Sequence, residues 1–214
     1  MEPLTERTRV RRRAERGRYD RETVHAILDE ALVCHVGFTA EGQPYVIPTT
    51  YARVEDRLYV HGAAASRMLR TLAAGVPVCV TVTLVDGVVL ARSAFHHSMN
   101  YRSVVVLGTA VEVVDTDERR RALEAIVEHV VPGRAHNVRG PSDEELRATR
   151  VLRVALDEAS AKVRTGPPLD APADLGLGCW AGVIPLRLTP QPPVADPDLA
   201  AGIAPSPEVV GYRR

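Results

Sequence analysis

A serine and an arginine stand together at the start of a short predicted helix, in a position suited to an anion. The strand-like run 58–63 continues through three alanines into Ser66 and Arg67. The first backbone N–H groups of a helix lack partners within it, and with a hydroxyl and a guanidinium they can bind a phosphate monoester. Ser66 is also a common N-cap residue, so the pair alone permits either a phosphate site or an ordinary helix start.

Two further segments place polar groups where a ligand could meet them. Residues 48–51 read Pro-Thr-Thr-Tyr within a strand-like run, and a proline there indicates a strand edge or a bulge with free backbone groups. Residues 95–103 are predicted to form a polar loop between two apolar strands. A simple sheet irregularity and a solvated loop are the respective alternatives. The polar loop contains His96, His97, Ser98, Asn100, Tyr101 and Arg102.

Other catalytic motifs are missing from the sequence. It contains no GxSxG, HExxH, Walker or GxGxxG pattern, so hydrolase, zinc protease and dinucleotide-fold interpretations have no starting point. The adjacent pair His96 and His97 is poorly placed for joint metal ligation, because neighbouring side chains on an extended chain point to opposite faces. We therefore predict no metal-ion site.

Length, charge and cysteine content limit the class of protein. The 214 residues, 45% of them hydrophobic, suit one domain with a substantial core. Lys+Arg and Asp+Glu both total 27, so no overall field would attract nucleic acid or an anionic membrane. No segment is apolar enough to span a bilayer or to act as a signal peptide. Cys34, Cys79 and Cys179 lack CxxC spacing, and we expect reduced, buried thiols in a cytoplasmic protein.

The two ends of the chain differ in composition from its middle. Eight arginines lie between Arg7 and Arg21, which predicts an exposed basic arm over 1–19 that is solvated or clasps a dimer partner. A nucleic-acid role for this arm is the alternative, but the rest of the chain offers no recognition element. The end of the chain is rich in proline. We predict a single domain over 20–188 and an extended tail over 189–214.

The pattern between the two ends alternates as in strands, with helices inserted. Asp20 is the predicted cap of a first helix. A second helix follows Ser66, a third opens near Thr116, and Ser142 with Glu145 forms a capping box. Asp86-Gly87 indicates either a hairpin turn or a bulge within one strand. The predicted class is mainly β with inserted helices (α+β), a small closed or half-closed barrel of six or more antiparallel strands. The strands are predicted over 32–38, 44–54, 58–63, 76–93, 103–114, 152–163 and 179–188.

This order of motifs resembles the FMN-binding split barrels of the pyridoxamine 5′-phosphate oxidase family. The resemblance covers residues 20–188 and implies that Ser66 and Arg67 hold the FMN phosphate. The family's lysine after that pair is Met68 here, so another cation, such as Arg102 of a second subunit, would be needed. The resemblance also places the second strand's backbone, at Ile47, Pro48, Thr49 and Thr50, along the isoalloxazine ring. Arg102 and Ser103 match positions that reach the ring from the second subunit.

The segment YVHGA (59–63) is similar to the flavin-nucleotide-binding and 5-nitroimidazole-resistance-like branch of that family. The resemblance implies that His61 lies beside the ligand, where it is our catalytic candidate as a proton donor. A structural hydrogen bond is the alternative role. Trp180 is followed by AGVIPLRLTP, without the histidine that vitamin B6 oxidation requires in the family, so that activity is not expected. The remaining predicted cofactor-binding residues are Gly62, Asn100, Tyr101 and Trp180.

The leading hypothesis is an FMN-dependent oxidoreductase that passes electrons to a small organic acceptor. Deazaflavin or haem could replace FMN, and a non-catalytic protein that stores flavin or sequesters haem, with His61 as an axial ligand, is the alternative. A half-open barrel exposes apolar strand edges, and the resemblance places each flavin between two subunits. We therefore predict a homodimer.

Overall fold

The computed structural model describes residues 5–213 and contains ten β-strands and five α-helices in that range. Short 3-10 helices occupy 14–16, 94–96, 135–137 and 172–174. The helices are α1 (Arg21–Glu30), α2 (Arg67–Ala73), α3 (Thr116–Val130), α4 (Asp143–Ala148) and α5 (Pro207–Val210). The strands are β1 (Gly17–Arg18), β2 (Val33–Ala40), β3 (Gln43–Val54), β4 (Arg57–Ala63), β5 (Pro77–Leu90), β6 (Ser98–Thr109), β7 (Val111–Glu112), β8 (Thr149–Ala155), β9 (Ala159–Arg164) and β10 (Gly182–Pro185).

The strands form one antiparallel sheet that curls without closing, which confirms the predicted split barrel. The order is β1-β9-β6-β5-β2-β3-β4-β8-β7, and β10 pairs with β5 beside this path. The prediction of one strand over 152–163 was wrong. The chain turns at Asp157 and Glu158, so that β8 pairs with β4 while β9 pairs with β6. This crossing joins the two halves of the barrel.

The choice left open at Asp86-Gly87 is settled in favour of a bulge. Strand β5 is continuous, and its register with β6 shifts between Val85 and Gly87. A Cβ atom at Gly87 would lie 3.0 Å from the Ile184 carbonyl oxygen. The glycine therefore allows β10 to approach β5 closely.

The polar segment 95–103 does not form the predicted loop. Only its first residues lie in a 3-10 helix, and β6 begins at Ser98, where it pairs with Val89 of β5. Polar side chains are compatible with a strand here because the long β5 ladder satisfies the backbone of β6. The tertiary pairing outweighed the local composition.

The main core lies inside the barrel and is closed by α1 and α2. Tyr51, Leu58, Leu69 and Leu152 are fully buried in it. A second, smaller cluster lies on the other face of the sheet, where Tyr59, Val113, Ala122 and Val151 pack below α3. Truncation of a buried leucine of the main core to alanine typically costs about 2–5 kcal/mol. The helix α3 is thus fixed against the outer face of β4 and β8.

Most predicted helix caps are present. Asp20 accepts a hydrogen bond from the Thr23 backbone N–H at 2.8 Å, and Ser142 with Glu145 forms the predicted capping box. Ser66 precedes α2, but its side chain makes no capping hydrogen bond, contrary to the sequence-based expectation. Its hydroxyl is therefore not used by the helix.

The terminal segments lie against the barrel. Strand β1 pairs with β9, and Arg7 forms an ion pair with Glu158, so part of the basic arm is packed rather than solvated. Strand β10 precedes the predicted tail, and the tail carries α5, with little regular structure between the two. Among the described residues, no helix is both long and apolar enough to cross a membrane. Cys34 is buried, Cys79 is half-buried and Cys179 is exposed, so the expectation of three buried thiols was wrong for Cys179.

Candidate functional site

A cavity of about 730 Å³ lies between α3, the segment after it and the end of β4. Its volume is within the range of small-molecule and cofactor pockets. Its walls are mainly apolar, and arginine and glutamate side chains stand among them. It is lined by His61, Arg120, Leu123, Glu124, Ile126, Val127, Ala135, Val138, Arg139, Gly140, Pro141, Glu145 and Thr149.

His61 enters this cavity because of its strand register. Val60 points into the barrel core, and the alternation of a strand sends His61, which pairs with Val151, to the outer face beneath α3. Its Nδ1 atom is buried and has no hydrogen-bond partner in the part of the chain that the structure describes. A buried polar atom without a partner costs about 1–3 kcal/mol, so the site favours a ligand that would offset this cost.

Burial also sets the protonation state of His61. Desolvation lowers the pKa of the imidazole below its ordinary value of 6.5. The neutral form therefore predominates at pH 7, which is the form that coordinates a metal centre. The proton-donor role predicted for His61 from the sequence is disfavoured by the same shift, because it needs the charged form.

Two arginines border the cavity and are paired with acids at the start of α4. Arg120 donates to Asp143 Oδ1 at 2.6 Å and to the Pro141 carbonyl at 2.8 Å. Arg139 makes a two-pronged contact with Glu145, at 2.6 and 2.7 Å. The Arg139 and Glu145 side chains are largely exposed, so their ion pair is screened by solvent and can be exchanged for another carboxylate.

A second group of predicted residues, Ser66 and Arg67, lies at the start of α2. The guanidinium carbon of Arg67 lies 4.1 Å from the centroid of the Tyr45 ring, and that ring stacks on Phe38 with centroids 5.6 Å apart. This contact brings the first residue of α2 to the beginning of the predicted flavin-contacting stretch of β3. The structure thus places Ser66 and Arg67 beside that strand.

The predicted stretch of β3 presents its two faces differently. Pro48 and Thr50 are exposed on the outer face, while Ile47 and Thr49 are half-buried. Gly62 has a packing reason as well, since a Cβ there would lie 3.2 Å from Leu69 Cδ1. Met68, which follows Ser66 and Arg67, is buried in the core.

The predicted residues on β6 lie apart from this group within one chain. Strands β5 and β2 separate β6 from β3, which amounts to about 14 Å across the sheet at about 4.8 Å per step. Arg102 forms ion pairs with Glu30 and Asp86, and the Ser103 hydroxyl contacts the Lys162 carbonyl at 3.3 Å. One chain does not bring these residues to Ser66 and Arg67.

The last three predicted residues surround the 164–182 segment. The Asn100 amide oxygen accepts a hydrogen bond from the buried Arg164, and Tyr101 is half-buried beside it. Trp180 is 67% exposed and covers Gly182, where a Cβ would lie 2.8 Å from the indole. Asn100 therefore holds the loop after β9, and Trp180 offers an exposed aromatic surface.

Sequence reasoning did not find Arg120, Arg139 or the apolar face of α3 as parts of a site. The signal available was weak. Helix α3 carries an apolar face, and a histidine stands on the outer face of β4. Only the docking of α3 on that face turns the two features into one cavity.

The barrel and its outer cavity define a split-barrel protein with a histidine-lined pocket next to its sheet. Residues 20–163 match the pyridoxamine 5′-phosphate oxidase family model, and the chain belongs to that family. No curated protein matches this chain.

Solved structures add finer similarities. The flavocytochrome Anf3 from Azotobacter vinelandii is 40% identical, with a TM-score of 0.94 over 100% of this chain and 99% of that one. An FAD and heme binding protein from Mycobacterium smegmatis is 39% identical, with a TM-score of 0.88 over 92% and 96%. A protein from Bacteroides thetaiotaomicron named for 5-nitroimidazole antibiotic resistance is 29% identical, with a TM-score of 0.57 over 69% and 86%.

Proposed function

We propose that this chain is a flavocytochrome, a redox protein that binds one flavin and one haem. The observation that carries the proposal is His61, a neutral imidazole with a buried nitrogen that has no partner among the described residues, in a mainly apolar cavity of about 730 Å³. The two similar proteins from Azotobacter vinelandii and Mycobacterium smegmatis, named as a flavocytochrome and as an FAD and heme binding protein, support it.

The cavity residues suit a haem. His61 would hold the haem iron through its imidazole, as histidine does in many haem proteins. The side chains of Leu123, Ile126 and Val138 would exclude water from the bound haem. When bound, a haem supplies one-electron chemistry whose potential depends on the axial ligand and on burial.

The two rim arginines give the cavity a polar end. A haem carries two propionates, and a guanidinium binds carboxylates through paired N–H donors. Arg120 and Arg139 would exchange Asp143 and Glu145 for these propionates. The exchange conserves the number of ion pairs, so it costs little.

The flavin would bind at Arg67, Ser66 and β3. The Ser66 hydroxyl is not used as a cap, and the Arg67 guanidinium is held over Tyr45 with its donor edges available. Both groups fit a flavin phosphate. The sequence indicated FMN, but a protein 39% identical to this chain is named for FAD. We therefore propose FAD, with FMN as the alternative.

A second subunit would complete the flavin site. In their own chain, Arg102 and Ser103 are separated from β3 by the two strands β5 and β2. Val33 and Val46 are 43% and 65% exposed on the outer face of β2 and β3, next to the predicted ring-contacting residues. Apolar side chains in this position favour a homodimer that buries this face.

The proposed activity is electron transfer from a donor through the flavin to a small organic acceptor. The chain's own residues bind and orient both groups and exclude water from them. A non-catalytic protein that holds flavin and haem is the second candidate, because the lowered pKa of His61, the predicted proton donor, leaves its imidazole uncharged at pH 7.

The test is the visible spectrum of freshly purified protein, followed by identification of the released cofactors. We expect the two broad flavin bands together with an intense Soret band. His61→Ala should lose the Soret band and keep the flavin, whereas His136→Ala, at an exposed histidine outside the cavity lining, should keep both. Wild-type protein without a Soret band after haem addition would exclude the flavocytochrome. Repeated anaerobic oxidation of the reduced protein by a soluble quinone would separate an enzyme from a storage protein.

A further inference from the structure

One wall of the His61 cavity is formed by the segment between α3 and α4, residues 131–141, which we call the wall segment. Five of the cavity residues belong to it, at 135 and 138–141. At its start, the Glu128 carboxylate accepts hydrogen bonds from the backbone N–H groups of Gly133 at 2.6 Å and Ala135 at 2.7 Å. At its end, Arg120 holds the Pro141 carbonyl. The wall segment is thus tied to α3 at both ends.

The middle of the wall segment is held by the C-terminal helix α5. The side chain of Glu208 is only 9% exposed, and its carboxylate lies 3.2 Å from the Arg134 guanidinium. The same carboxylate accepts a hydrogen bond from Ser206 at 2.6 Å and another from Asn137. Arg134 directly precedes the 3-10 helix of the wall segment, and Asn137 is its last residue. Glu208 therefore grips this short helix at both of its ends.

The protonation state of Glu208 keeps its hydrogen bonds to the wall segment in place. Hydrogen bonds from Ser206 and from its own backbone N–H, with those of Asn137 and Arg134, lower the pKa of Glu208 to about 2. The carboxylate is charged at every physiological pH. A charged acceptor makes stronger hydrogen bonds than a neutral one.

The tail that carries Glu208 lies outside the part of the chain that defines the family. The family model ends at residue 163, and the Bacteroides structure covers 69% of this chain. The Azotobacter flavocytochrome covers 100% of it and so includes a counterpart of the tail. The similarity to the Azotobacter flavocytochrome therefore extends over the tail.

We propose that α5 is a latch in which Glu208 positions the wall segment, and so sets how long a ligand remains in the His61 cavity. This inference rests on the proposed haem site. Glu208 and Arg134 are positioning residues, since neither lines the cavity. A bound haem can dissociate only after the wall segment moves outward, and the latch slows this movement.

The experiment compares haem loss to excess apomyoglobin from wild type, Glu208→Gln and Asp198→Asn, all loaded with haem. Glutamine keeps the size of the side chain and removes its charge. Asp198 is an exposed acid of the same tail, away from the wall segment, and serves as the matched control. We expect Glu208→Gln to lose haem at least 5-fold faster, with its flavin content unchanged and Asp198→Asn equal to wild type. Arg134→Gln should behave like Glu208→Gln, and the double variant should lose haem no faster than either.

Hydrogen exchange of residues 131–141, measured without haem, gives a second readout that does not depend on the cofactor. Faster exchange there in Glu208→Gln, with unchanged exchange in the barrel strands, supports the latch. An unchanged haem loss rate in Glu208→Gln overturns it while leaving the haem site intact. Wild-type protein that binds no haem overturns the haem site and the retention role together, and the exchange data then show whether Glu208 still holds the wall. Loss of flavin together with haem would make Glu208 a residue of general stability and overturn the latch.

Discussion

The guanidinium carbon of Arg67 lies 4.1 Å from the centre of the Tyr45 ring, which joins the first residue of α2 to the start of β3. The contact fixes the guanidinium by a cation–π interaction worth about 0.5–1 kcal/mol at an exposed site. The ring covers one face of the guanidinium, and the N–H groups, which lie in the guanidinium plane, can still donate to a ligand. An arginine that an aromatic ring holds in place can bind an anion without needing a carboxylate to position it.

Arg67→Ala is therefore expected to weaken binding of FAD or FMN by about 1.5–3 kcal/mol, the scale of a charge-assisted hydrogen bond. Riboflavin lacks the phosphate, so its affinity should hardly change. Flavin fluorescence titration measures both affinities. Arg70→Ala, an exposed arginine of the same helix, is the control. Equal losses for riboflavin and for the phosphorylated flavins would make Arg67 a purely structural residue.

The buried imidazole of His61 should make the stability of cofactor-free protein depend on pH. Desolvation lowers the pKa of His61 in the folded chain below 6.5. At a pH between the folded and unfolded pKa values, the unfolded chain therefore binds more protons than the folded chain. The free energy of unfolding then falls as pH drops below about 6.5, by at most about 1.4 kcal/mol per pH unit, until pH passes the folded pKa. Urea unfolding from pH 7.5 to 5 should show a shallower fall for His61→Leu than for wild type. Parallel curves for the two proteins would contradict the buried neutral imidazole.

Val46→Lys should dissociate the proposed homodimer. Val46 is 65% exposed on the face of β3 that we assign to the interface, and a buried lysine without a partner there costs several kcal/mol. Light scattering coupled to size exclusion measures the mass. Val194→Lys, at a valine 94% exposed in the tail, is the matched control and should remain dimeric. A wild-type monomer that holds stoichiometric flavin would exclude the shared site.

Arg102→Gln tests two roles of Arg102, the ion pairs within its own chain and the contact with the flavin of a second subunit. Within one chain, Arg102 joins Glu30 of α1 to Asp86 of β5. Removing the shared cation leaves two carboxylates near each other, so we expect a stability loss of about 1–2 kcal/mol, larger at low salt. Urea denaturation at two ionic strengths measures this loss, and Arg187→Gln, at an exposed arginine, provides the comparison. Because Arg102 of a second subunit is proposed to complete the flavin site, flavin affinity should also fall about tenfold, and a change of less than twofold would leave Arg102 with its structural role alone.

Local signals in the sequence determined much of this protein. The alternation of apolar residues predicted β2, β3 and β4 to within two residues, and Asp20 and Ser142 cap the helices assigned to them. These features depend on near neighbours: a side-chain oxygen and an N–H group three residues on, or the two-residue period of a strand. The motifs Ser66-Arg67 and YVHGA likewise stood in the sequence, and they led to the family to which the chain belongs.

Only the tertiary structure decided where separate segments meet. The polar run 98–103 became strand because β5 supplied a ladder, and 149–164 became two strands because the barrel must cross between its halves. The His61 cavity needs α3 to pack on the outer face of β4, and its wall needs Glu208 from 147 residues further along the chain. Such contacts follow from burial summed over the whole chain, and no local pattern records them.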